Sequence, residues 1–124
     1  MPTAALMPQQ WNELQFVSWS EFQRMAPSII QLEITRLGTM IESFRQDTGV
    51  HNGLVEARFA LMQFVSCLRE IGQAQAEPAC APHLRTALLA LSFLQEDRDP
   101  RTAETLAYTL DRIRYVYDRI SMIY

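Results

Sequence analysis

Apolar residues along this chain return every three or four positions and almost nowhere every two. From Ser28 to about Asp47, Ile30, Ile34, Leu37, Ile41 and Phe44 fall on one side of an amphipathic helix. Upstream, Ser18-x-x-Glu21 has capping-box spacing and predicts a short helix through about Met25. Pro27 then ends that helix or opens the next one. Residues 1–10 read as a flexible lead.

Thr48-Gly49 predicts a stop, and Asn52 predicts the cap of a helix over about 53–71 that Gly72 closes. In that segment Leu54, Ala57, Leu61, Phe64, Val65, Leu68 and Ile71 make one broad face, which Val55, Phe59 and Met62 extend round the side. A helix apolar over so much of its circumference is expected at the centre of a bundle. Residues 72–82 (GQAQAEPACAP) read as a connector, with Pro82 opening a helix to about Glu96. Leu84, Leu88, Leu91 and Leu94 would face inward, while Leu89 and Phe93 suggest a second contact surface.

Asp99-Pro100 is a cap followed by proline at the first helical position, predicting a last helix over about 100–123. Its seam would be Leu106, Leu110, Ile113, Tyr117, Ile120 and Tyr124. Strand periodicity and Asn-Gly or Asp-Gly hairpin turns are missing. The fold expected is all-α: an antiparallel helical bundle of four main helices plus a short N-terminal helix. One domain spans 11–124 after the lead, and a chain of 124 residues buries enough surface for one core. Two-sided helices leave more apolar surface than a monomer needs, which predicts a homo-oligomer or a complex with a protein partner.

Composition adds constraints rather than chemistry. All 11 basic residues are arginine and none is lysine. GC-rich coding accounts for that, as does selection against ubiquitin-accepting amines. The formal charge of −3 argues against a nucleic-acid binder driven by basic excess. No apolar run approaches a membrane span, and the first basic residue is Arg24, so no signal peptide is expected. Cys67 and Cys80 are too few for a disulfide framework and point to a reducing compartment, cytoplasmic or inside a host cell. Cys67 reads as a buried thiol in a helix and Cys80 as part of the connector.

The strongest candidate surface lies on the last helix. Tyr108, Asp111, Arg112, Tyr115, Asp118, Arg119 and Met122 cluster opposite its apolar seam. Tyr108–Arg112 and Tyr115–Arg119 are i,i+4 pairs suited to guanidinium–ring stacking, and Arg114–Asp118 has salt-bridge spacing. Tyr and Arg are enriched at binding hot spots, so this side is expected to meet a protein partner, or else to cover another helix of the same chain. Trp11, Phe16, Trp19 and Phe22 gather aromatics near the N-terminus, for packing at home or on another chain. Arg58 and Arg69 interrupt an apolar arc and are expected to lay their stems along it.

Catalytic and cofactor signals are sparse. His51 and His83 are the only histidines, the thiols are far apart in sequence, and no glycine-rich phosphate loop is present. No metal, cofactor or catalytic residue is assigned. Arg45 and His51 have the Arg-x5-His spacing of ribonuclease-type HEPN bundles, and over these two residues the chain resembles that family. The resemblance implies a small RNA-cleaving helical bundle, although Thr48-Gly49 interrupts the helical pattern between them.

The function expected is therefore a non-catalytic protein–protein interaction module: an adaptor, a secretion-type chaperone, or a host-directed effector or viral accessory protein. A nucleic-acid-binding regulator is the alternative, using the arginines of the last two helices. A HEPN-like ribonuclease is the third.

Overall fold

The computed structural model describes residues 16–96 and 99–124. Helix α1 spans Trp19–Ser43, and Ser18 caps it. Ser18 Oγ accepts the Glu21 N–H at 3.2 Å, and Glu21 Oε1 accepts the Ser18 N–H at 3.2 Å. The backbone hydrogen bond from Ser18, then its hydroxyl, hold the Glu21 carboxyl below the ordinary carboxylate range. The two helices expected on either side of Pro27 are one. Proline in a helix interior costs about 3 kcal/mol through its missing N–H and its ring clash. Here Phe22, Ala26 and Ile30 are fully buried around it, and their packing carries the helix through.

Helix α2 spans Thr48–Glu70. Thr48-Gly49, expected to stop a helix, begins one. The Asp47 carboxylate accepts the Val50 N–H at 3.3 Å, and the Asp47 carbonyl accepts the His51 N–H at 2.8 Å. The preceding helix stops at Ser43, where the Phe44 N–H reaches the Met40 and Ile41 carbonyls. Asn52 consequently lies in the second turn of α2 and caps nothing.

Helix α3 spans Gln73–Gln95, so the expected connector is helical. Pro78 and Pro82 are exposed on its outer side, while Ala76, Cys80 and Ala81 are buried on its inner one. Four alanines between Gly72 and Pro82 favour the helix that the prolines oppose. Helix α4 spans Pro100–Ile120 and starts as expected, with Asp99 Oδ1 accepting the Thr102 N–H at 2.9 Å.

Each helix packs on its neighbours in sequence, and α1 also packs on α4, so the four close into a ring. The short connections make adjacent helices antiparallel. At one end Val17 and Ile123 form a bridge: the Val17 N–H bonds the Met122 carbonyl at 3.2 Å, and the Tyr124 N–H bonds the Val17 carbonyl at 3.0 Å. The described chain is thus the all-α bundle expected, with four helices. The core is contributed by all of them, including Phe22, Leu37, Leu61, Phe64, Leu84, Leu91, Leu106 and Ile113.

Two inward faces differ from expectation. On α4 the buried stripe takes in Thr109 and Val116, whereas Tyr117 is half-buried and Tyr124 is exposed. The expected seam followed a heptad step, and helices in a ring bury a broader arc than that. On α2 the second apolar side does not reach a neighbour. A ring of four has no central position, so Val55, Phe59 and Met62 remain at the surface.

Candidate protein-interaction surfaces

The Tyr/Arg side of α4 turns towards α1. Glu33 of α1 is only 1% exposed. Arg36 grips it with both arms of the fork, Nε to Oε1 at 3.0 Å and Nη2 to Oε2 at 3.3 Å. The Glu33 hydrogen bond outweighs desolvation and raises the Arg36 pKa. The same guanidinium lies 4.8 Å from the centre of the Tyr108 ring. Tyr108 is therefore stacked by a residue of another helix, in place of the expected Arg112.

Arg112 lies 5.8 Å from the Tyr115 ring centre, and Arg119 lies 3.7 Å from it. The Tyr115–Arg119 pairing is as expected, and Arg119 Nη1 also donates to the Tyr115 carbonyl at 3.1 Å. Arg119 is 2% exposed, however, and so offers no free guanidinium to a partner. Asp111 and Asp118 are exposed, Met122 is half-buried and Tyr108 is 53% exposed. Arg114 and Asp118 make no ion pair among the described residues. Arg36, Glu104, Thr105 and Tyr108 line an open groove of about 340 Å³. This side supplies guanidinium groups stacked on aromatic faces.

Across α4, Arg85 Nε donates to the Tyr117 hydroxyl at 3.2 Å. Those two residues share a groove of about 390 Å³ with Glu77, Ala81, Asp118 and Met122. Arg58 does more than lie along the surface: its Nε donates to the Ile34 carbonyl of α1 at 3.2 Å. Near the N-terminus, Trp19 stacks on the fully buried Phe22 with ring centres 6.4 Å apart, so these aromatics pack at home. Phe16 is exposed, and Trp11 lies outside the described residues.

Arg45 and His51 do not share a helix. Arg45 stands in the α1–α2 turn, ion-paired to Glu42, while His51 is in the first turn of α2. Among the described residues no three His, Cys, Asp or Glu side chains come together to hold a metal. No described helix is long and apolar enough to cross a membrane.

The opposite side of the ring carries the largest apolar exposure. Val55, Phe59 and Met62 face outward from α2, and Leu89 and Phe93 from α3. Phe59 is 58% exposed and Phe93 is 78% exposed. Glu56 of α2 lines a groove of about 210 Å³ together with Thr86, Leu89, Ala90 and Phe93 of α3, so the α3 pair borders α2 there. The sequence pattern shows each half, as the second side of α2 and the off-face pair on α3. How near the two halves lie depends on the register between the helices, which no single helix displays. Glu33 is a similar case: it follows the phase of Ile30, Ile34 and Leu37, so helical phase alone marks it as buried. No family model, no curated protein and no solved structure matches this chain.

Proposed function

We propose that the protein is a non-catalytic interaction module that works as a self-associating helical bundle. The observation that carries this reading is the apolar face of α2 and α3. Val55, Phe59, Met62, Leu89 and Phe93 expose roughly 500 Å² of apolar surface together, near the upper end for one patch on a monomer. With its polar rim the face approaches the ~800 Å² per partner of a stable interface. Glu56 is the one charged residue lining its groove. Homodimer interfaces are more apolar than transient ones, so a second copy of this chain is the occupant that fits.

The Tyr/Arg side of α4 supports the same class of function as a second surface. Tyr108, Asp111 and Asp118 remain available there, beside the Arg36–Tyr108 groove. An adaptor, a secretion-type chaperone or an effector would use such a pair of surfaces, one for its own copy and one for a client.

Sedimentation velocity over a concentration series tests the proposal. The wild type is expected to be dimeric at micromolar concentration, and Phe59→Glu with Phe93→Glu to be monomeric with unchanged helicity. A wild type that stays monomeric throughout the series overturns self-association, as does a variant that dimerises equally well.

A further inference from the structure

The two cysteines are separated by thirteen positions in the chain but meet across the α2–α3 interface. Cys67 Sγ lies 3.7 Å from the Ala79 carbonyl, to which it donates, so its thiol reaches the residue beside Cys80. The Cys67 thiol is also near enough to Cys80 to perturb its thiol. The helix register says the same. Gly53 faces Leu94 so closely that a Cβ on Gly53 would sit 2.9 Å from Leu94 Cδ1. In an antiparallel pair, stepping fourteen residues forward from Gly53 and fourteen back from Leu94 reaches Cys67 opposite Cys80. Ala60 of α2 and Ala76 and Ala87 of α3 are buried, and such small side chains let packed backbones approach.

Both thiols are free in this structure, with Cys67 half-buried and Cys80 fully buried. We propose that Cys67 and Cys80 form a thiol–disulfide exchange site, in which a low-molecular-weight disulfide such as oxidised glutathione converts them to a bond stapling α2 to α3. The exposure difference sets the order of events. Cys67, the accessible thiol, gives its proton to water, and its sulfur attacks one sulfur of the glutathione disulfide. That disulfide bond breaks, one glutathione leaves as a thiolate and takes up a proton, and Cys67 carries the other as a mixed disulfide. Cys80 then loses its proton and attacks Cys67 Sγ. The protein disulfide forms and the second glutathione leaves as a thiol. Two protein thiols are oxidised by two electrons, and one small disulfide is reduced to two thiols.

Burial first, and then the neighbouring Cys67 thiol, push the Cys80 thiol up to about 12. Its thiolate is therefore scarce at neutral pH, which makes Cys80 the second and slower participant. The site needs no partner chain, because both sulfurs belong to one hairpin.

The test incubates the native protein with oxidised glutathione, quenches with acid, and blocks free thiols with iodoacetamide before mass spectrometry. The expected product is a monomer lighter by two hydrogens, with tryptic peptides 59–69 and 70–85 joined. Cys80→Ser is expected to stop at a glutathione adduct on Cys67, and the oxidised wild type to melt about 5–10 °C higher than the reduced one. Three results on the wild type overturn the proposal, and none depends on a variant folding: both thiols still alkylated, a lasting glutathione adduct on Cys67, or a cysteine-linked dimer.

Discussion

Arg58 donates its Nε–H to the carbonyl of Ile34 at 3.2 Å, with its guanidinium lying beside Gly38 of α1. A Cβ on Gly38 would meet Arg58 Nε at 3.5 Å, ordinary contact distance. The guanidinium thus ties α2 to the backbone of α1 from the rim of the core. Arg58→Met keeps the packing of the stem and removes the donor. It is expected to lower stability by about 1.5–3 kcal/mol, the range for a hydrogen bond that involves a charged group. Urea unfolding checks it, and an unchanged midpoint would show that the bond adds nothing over water.

The Glu33–Arg36 pair predicts an asymmetric pair of variants. The Glu33 side chain is 2% exposed and that of Arg36 is 38% exposed. Arg36→Met strands a carboxylate in the core, which is expected to cost about 3 kcal/mol. Glu33→Leu instead releases a guanidinium that can turn to water, with an expected change within about 1 kcal/mol. Equal losses in denaturant melts would contradict this account of the seam.

Thr109 is fully buried on α4, and its Oγ1 has no hydrogen-bond partner among the described residues. A hydroxyl in that position loses its water without replacement. Thr109→Val has nearly the same shape and no such group, so a gain of about 1 kcal/mol is expected from chemical denaturation. A loss of stability would mean that the hydroxyl has a partner after all.

Gly49 distinguishes two accounts of the α1–α2 turn. If it ended a helix in the left-handed conformation, alanine would be strained there. It stands instead in the first turn of α2, exposed, with the Asp47 carboxylate 3.8 Å from where a Cβ would be. Gly49→Ala is therefore expected to stabilise the protein by about 0.5–1 kcal/mol. A lower melting temperature would favour the helix-stop reading.

Much of the fold is legible in local chemistry. The Ser18–Glu21 box and the Asp99-Pro100 start are each decided within four residues, and both stand as read. Pro27, Pro78 and Pro82 mislead because their penalty is local whereas the packing that overcomes it is not. The α4 surface divides the same way. Tyr115 and Arg119 pair within one helix and can be found by spacing, but Arg36 reaches Tyr108 from a helix some seventy residues away. What covers a side chain from another helix is a property of register, and register emerges only when the bundle closes.

The Val17–Ile123 bridge also bears on the order in which the bundle assembles. Three of the four helix contacts join neighbours in sequence, which need only short loops to close. The α1–α4 contact closes a loop of nearly the whole described chain, with a larger entropy to overcome. Local hairpins form early and the longest loop forms late. The polar seam of Glu33, Arg36 and Tyr108 is then expected to be the last joint made and the first to part under mild denaturant, and amide exchange along α1 and α4 checks it.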